Sequence, residues 1–481
     1  MLVHAASPAV PGPVAGTDVA ARLEQLEASN AQMVEAIDQL VSALLDTRAE
    51  LAEARKPAPP DTSRPLLEAR LQELEKTVAL ERCLQDLTAV SRAHLKRRLA
   101  VFVGTTYLGC NVKYAWLAAR DAAAAQDMDI WFLPHDARQE AQILSLTPDC
   151  FPHNWDAWSA EDVQRALEAA VVVTSDHFLN PNPYAAALLA GARQVQLWHG
   201  ISIKEIGLRN LVGLKHMSPR MGRVMATCGP YASLVGTAAH QLDEWQRWFS
   251  FEHYAALGYA RNDVLHREPS TADLLNVDHD TRERMQATRR AGRKVWFYAP
   301  TFRDGKGLAW LLEAGLDELA AAVQRQGDLL VLNVHPVEAP QVHKVAPLYP
   351  SICFVAPRTD IYPLLRDSDA LITDYSSVMF DYLHLDRPVL LYRPDHEAYV
   401  SQSRQLFDAK LDDALPGVLV HRMDELVQAL RRLRHDTHGA ARRALRARLF
   451  DHEDGASASR LLVHIDEQLQ LALDRHVPGR R

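Results

Sequence analysis

Four short stretches hold side chains that could do chemistry together. "WHGIS" puts His199 at the end of an apolar run, with Gly200 directly behind it. An imidazole, with an ordinary pKa of about 6.5, can take a proton from a hydroxyl near neutral pH; it can also be a packed core histidine. "PTFRD" (300–304) carries Arg303, able to neutralise phosphate charge or to sit in a salt bridge. His335, before Pro336, is either a donor to a phosphoryl oxygen or a structural group. "TDYSS" (373–377) ends one apolar run and opens a helical one. The free amide N–H groups of a helix start, flanked by the Ser376 and Ser377 hydroxyls, suit a diphosphate; either serine could equally cap the helix. Asp381, further along that helix, could accept from a ribose hydroxyl or pair with a neighbouring base. A base plus phosphate-binding groups is the equipment of phosphoryl transfer, which needs a positioned hydroxyl, an acceptor for its proton and donors to the phosphoryl oxygens. "DSD" (367–369) has DxD metal-motif spacing, but it precedes a strand pattern instead of following one.

Alternating strand and helix patterns must position these groups. "LAVFVG" (99–104), "DIWFL" (129–133), "VVVTSD" (171–176) and "QVQLW" read as buried strands with helices between them. The alternation restarts at 294–300 and continues through 329–336, 352–356, 370–374 and 388–392, with helices over 308–326 and 376–385. Such alternation means parallel, doubly wound sheets, so the sequence predicts an α/β protein with two Rossmann-like domains, 99–265 and 266–470. Ligands of open α/β sheets bind at the carboxyl ends of the strands. His199 lies at such an end in the first domain; Arg303, His335 and "TDYSS" lie at such ends in the second. Two facing domains would bring all four to one cleft, the arrangement of a two-domain nucleotide-dependent transferase. No GxGxxG follows the opening strand, and no Walker lysine loop, HExxH or GxSxG elbow is present.

Before residue 99 the chain has another character. Residues 1–18 are rich in Pro, Ala and Gly and read as a disordered tail, and 19–98 as helical. Leu23, Asn30, Ile37, Leu44 and Leu51 fall seven apart, with Leu26, Met33, Leu40, Thr47 and Ala54 in the complementary positions. That seam predicts either a coiled coil, dimeric with Asn30 fixing the register, or an amphipathic helix packed on its own chain. The four prolines of 56–65 break it, and Leu67, Leu71, Leu74 and Val78 resume the spacing. The 481 residues are 48% hydrophobic, and the formal net charge of −8 argues against wholesale nucleic-acid binding. Five scattered cysteines (83, 110, 150, 228, 353) suit a reducing compartment and no zinc site. No secretory signal or membrane span is evident. The basic run at 431–448 is a solvated helix face or a contact for anionic lipid headgroups.

"WHGISIKEIG", "YAPTFRD", "VHP" and "LITDYSSVMFDYLHLDRPVLLYRPD", in this order, resemble the CDP-glycerol glycerophosphotransferase family of teichoic acid and capsule biosynthesis over roughly 99–460. The resemblance implies a GT-B fold with the active site between two Rossmann-like domains. It also implies transfer of a polyol phosphate from a CDP-activated donor to a hydroxyl of a polymer or lipid-linked glycan, releasing CMP. His199 matches the general base and His335 the second active-site histidine. Arg303, Ser376 and Ser377 match donor-phosphate contacts. Asp381 matches an acidic residue of the donor site, to which Thr301, Asp374 and Arg460 are also assigned. No cofactor is required by this reading and divalent-metal dependence stays open. The implied place is the cytoplasm, with peripheral contact at the inner face of the membrane. Two departures leave the acceptor open and the donor polyol open among glycerol, ribitol and another polyol. The usual "WHGTP" reads "WHGIS", and the late "DGKAS" pattern reads "DGASAS" (454–459), losing its lysine. The rival readings are a sugar-nucleotide glycosyltransferase of the same architecture and a non-catalytic coiled-coil scaffold.

Overall fold

Strand runs such as Val171, Val172 and Val173, fully buried, have no polar face to turn outward. They can only be central parallel strands covered on both sides. In the computed structural model, which describes residues 39–52, 63–124, 126–176, 182–203, 206–208, 229–301, 303, 309–335, 338–397, 399, 415–432 and 436–475, they build two parallel six-stranded sheets. The first holds β1 (Arg97–Val103), β2 (Asp129–Leu133), β3 (Ala169–Thr174), β4 (Arg193–Gln196), β5 (Tyr231–Gly236) and β6 (Phe251–Ala256), in the order 2-1-3-4-5-6. The second holds β7 (Val295–Ala299), β8 (Leu329–Leu332), β9 (Ile352–Phe354), β10 (Ala370–Thr373), β11 (Val389–Tyr392) and β12 (Val418–Val420), in the order 12-11-10-7-8-9. Registers such as Phe102↔Val173 and Tyr298↔Ile372 are parallel.

Each sheet therefore reverses its winding once, between β1 and β3 and between β7 and β10. Crevices open at such switch points, at the carboxyl ends of the strands. The sequence patterns identify nine of these strands but not β5, β6 or β12. "FEHYAA" places two polar residues inside β6, and β12 spans three residues.

Both sheets belong to one compact unit, Thr88–Arg481. The Ser457–Asp474 helix returns to the first sheet, where His464 Nε2 lies 2.9 Å from Ser233 Oγ and Gln468 Oε1 accepts from Arg193 Nε at 2.8 Å. Part of the basic run is engaged within the protein. Arg442 is buried and paired with Asp386 and Asp436, Arg443 pairs with Asp386, and Arg446 with Glu453.

The other unit is Met1–Leu87. Residues 39–52 are helical there, as is the chain from Ser63 onward. Thr47, Leu51 and Val78 are buried, and Arg48 pairs with Glu75 at 2.8 Å, so the described end of the heptad seam packs on its own chain. Positions 23–37 and the Pro-rich break lie outside the described residues, except for its last three positions.

Candidate active site

β4 delivers His199. The Gln196 side chain, fully buried, accepts from the Trp198 amide at 2.8 Å and donates to the Asp176 carbonyl at 3.1 Å. Trp198 sits at φ 48°, an unusual value for a large side chain. The Asn111 carboxamide donates to its carbonyl at 2.9 Å and to that of Leu197 at 3.3 Å, holding this strained turn. His199 stacks on Trp198 (centroids 4.2 Å apart) and its side chain remains 46% exposed, which no packed core histidine would be. Nδ1 lies 3.2 Å from the Ser175 carbonyl and 3.9 Å from Asp176 Oδ1. A carbonyl only accepts, so this contact places the proton on Nδ1 and leaves Nε2 as the basic atom.

Gly200 brings the first sheet to the second. Its φ of 147° favours glycine, and a Cβ built there would stand 2.9 Å from Ser377 Oγ and 3.3 Å from Arg261 Nη2. Ser377 precedes the Val378–Tyr382 helix, and its hydroxyl makes no capping hydrogen bond. Ser376 Oγ approaches the Val378 amide at 3.5 Å, so it caps only weakly. The loop that carries His199 thus comes against Ser377.

The remaining expected residues divide. Arg303 is buried: Nε and Nη2 hold both oxygens of Asp395 (2.7 and 3.0 Å), Nη2 also reaches Asp374 (2.9 Å), and Nη1 reaches the Thr301 carbonyl (2.7 Å). Its guanidinium lies 4.5 Å from the Trp310 ring centre and 4.6 Å from that of Tyr399. Burial opposes its charge, but the hydrogen bonds to Asp395 and the Asp374 carboxylate outweigh that and raise its pKa. Asp374 also accepts from the Thr301 amide and hydroxyl and from the Tyr375 amide. These three residues thus brace the loops after β7 and β10 at the switch point. Asp381 takes the second of its two sequence alternatives: it pairs with Arg261 at 2.8 Å and accepts from Tyr362 Oη at 2.8 Å, all three buried. His335 is exposed after β8, beside the Arg303 loop in strand order. Its amide donates to Glu338, whose second carboxylate oxygen is buried without a partner and whose pKa burial pushes up. Arg460 is directed elsewhere, to the Leu257 carbonyl and to Asp454.

"DSD" lies at the amino end of β10, the end of the second sheet opposite the Arg303 and Ser377 loops. Asp367 accepts from Arg282 and Asp369 from the Val295 amide. Among the described residues, no group of three or more His, Cys, Asp or Glu is arranged to hold a metal ion, and no helix is long and apolar enough to cross a membrane. The sequence patterns pass over Arg261, Asn111, Asp395 and Glu338. The rule that selects His199, a polar residue just past a strand's carboxyl end, would have selected Arg261 had β6 been legible; Asn111 lies inside the Cys110–Ala122 helix, where that rule does not reach.

Residues 88–467 match the family described as CDP-glycerol:poly(glycerophosphate) glycerophosphotransferase. A teichoic acid poly(glycerol phosphate) polymerase of Bacillus spizizenii is 27% identical over 252 residues, covering 50% of this chain and 61% of that protein. A teichoic acid ribitol-phosphate primase of the same species is 26% identical over 290 residues, covering 58% and 71%. The chain thus spans less than two thirds of the first of these relatives. The solved wall teichoic acid polymerase TagF superposes with a TM-score of 0.62 at 20% identity, over 83% of this chain and 96% of that one, a likeness of fold.

Proposed function

We propose, from the premise that this chain belongs to the CDP-glycerol:poly(glycerophosphate) glycerophosphotransferase family, that it transfers a polyol phosphate from a CDP-polyol, glycerol being our first choice, to a hydroxyl of a polymer or lipid-linked glycan. The carrying observation is the approach of Gly200, the residue directly after His199, to Ser377. In this reading the cleft is that of a GT-B enzyme. The donor diphosphate sits at Ser376 and Ser377, with His335 on the same sheet edge. The acceptor oxygen attacks the phosphorus nearest the polyol. A new P–O bond forms, the P–O bond to the cytidine phosphate breaks and CMP leaves. The hydroxyl proton passes to His199 Nε2, and the Ser175 carbonyl steadies the Nδ1–H of the resulting imidazolium. Thr301, Arg303 and Asp374 act by bracing the phosphate-side loops, and Arg303 stays charged close behind them.

With a cytidine nucleotide donor and a lipid-linked acceptor, the reaction takes place in the cytoplasm, with peripheral contact at the inner face of the cytoplasmic membrane. We also propose self-association through residues 23–54. The test of the donor is a panel of CDP-glycerol, CDP-ribitol and UDP-sugars offered to the purified protein with a glycerol phosphate oligomer as acceptor. CMP release from a CDP-polyol is expected. Release of a nucleoside diphosphate from a sugar nucleotide would instead mark a glycosyltransferase, and no release from any donor would support a scaffold.

A further inference from the structure

We infer that Arg261 is a positioning residue that couples the His199 loop to the donor-side helix, an inference that rests on the phosphoryl-transfer reading above. Arg261 follows β6, in the first sheet, yet its side chain ends on the second. Nη2 pairs with Asp381 at 2.8 Å, and side-chain exposure is 2% for the arginine and 3% for the aspartate. Burial opposes the guanidinium charge and Asp381 overrides it, holding the pKa of Arg261 well above its ordinary value. Nη1 contacts Cys110 Sγ at 3.0 Å, the rings of Tyr259 and Tyr362 lie 5.0 and 5.1 Å away, and Nε is buried without a hydrogen-bond partner. The Arg261 amide donates to Asn111 Oδ1 at 3.3 Å, and Asn111 in turn donates to the Trp198 carbonyl at 2.9 Å. A continuous path therefore runs from Asp381, on the helix that Ser377 opens, through Arg261 and Asn111 to the strained turn before His199. Nη2 also stands against Gly200 itself.

No other role accounts for this arrangement as directly. A stabilising contact alone could have been apolar, since a buried ion pair is often replaceable by hydrophobic groups of similar volume without loss of stability. A planar fork that reaches two loops from one rigid anchor fixes their separation. Base and phosphate groups need that, because a shift of about 1 Å can cost roughly 100-fold in rate.

The test is the paired variant Arg261→Met/Asp381→Leu, which leaves neither charge buried alone. Its thermal midpoint should stay near that of the parent, and CDP affinity by calorimetry should be unchanged. CMP release should fall roughly 100-fold in kcat with little change in donor KM, and hydrogen exchange at residues 198–200 should accelerate. Arg261→Lys, which keeps the charge and loses the fork, should recover only part of the turnover. Parental kcat with parental exchange at 198–200 would overturn the inference. Loss of CDP affinity in step with kcat would overturn it too, by making Arg261 a donor ligand. If the unsubstituted protein releases no CMP from any CDP-polyol, the proposed function fails, and exchange at 198–200 still decides the role of Arg261.

Discussion

Gly200→Ala isolates the contact on which the site depends. Two effects add. The backbone at φ 147° is strained for any residue with a Cβ, at about 1–3 kcal/mol. The new methyl also meets Ser377 Oγ at 2.9 Å and Arg261 Nη2 at 3.3 Å. The serine hydroxyl can rotate away. Arg261 cannot, since Asp381 fixes it, so the loop must move by a few tenths of an ångström and carry His199 with it. Gly292→Ala supplies the control: its φ is 71° and a Cβ there meets nothing within 4 Å. Strain alone acts at Gly292, whereas strain and displacement act at Gly200. Both variants should lose stability of about 1–3 kcal/mol in denaturant titrations. Only Gly200→Ala should lose turnover, by roughly 10- to 100-fold in CMP release. Equal turnover in the two variants would refute the argument that Gly200 sets the distance between imidazole and serine pair.

Three further outcomes are expected. Arg303→Ala strips the buried partner from Asp374 and Asp395 and should destabilise the fold by about 3–5 kcal/mol, seen as a lowered thermal midpoint; a loss of CDP affinity at full stability would make Arg303 a direct phosphate ligand instead. His384 is pushed down to about 3 by burial, then by the neighbouring His266 and Arg446 charges. The unfolded chain therefore binds its proton first as pH falls below about 6.5, and stability should decline toward pH 3 by up to about 1.4 kcal/mol per pH unit. Denaturant titrations of His384→Leu should show a shallower slope over that window. Deleting residues 1–65 should reduce the oligomer measured by light scattering while CMP release persists; an unchanged oligomer would mean that the heptads pack only on their own chain, as Thr47 and Leu51 already do.

How far the sequence was legible follows from what local pattern can carry. Apolar runs such as those of β1, β3 and β10 identify themselves, because parallel strands covered on both faces leave no alternation to misread. β6 does not, because Glu252 and His253 interrupt it, and with β6 went the position of Arg261. Residue type singled out His199, Ser376 and Ser377 as candidate groups. It could not separate a phosphate ligand from a brace, since an arginine after a strand reads the same in both cases. Asp395, 92 residues away in sequence and 2.7 Å away in space, is what engages Arg303. The heptad seam has two readings, and among the described residues the burial of Thr47 and Leu51 and the Arg48–Glu75 pair bear on the choice.

The central claim is that His199 removes the proton from the attacking hydroxyl while the donor is held elsewhere, by the groups around Ser377. Its most direct measurement pairs CDP affinity with single-turnover CMP release in His199→Ala. The account requires parental CDP affinity with release slowed by roughly two to four orders of magnitude, the range for loss of a general base. Release at the parental rate, or a loss of CDP affinity that accounts for the slowing, would contradict it.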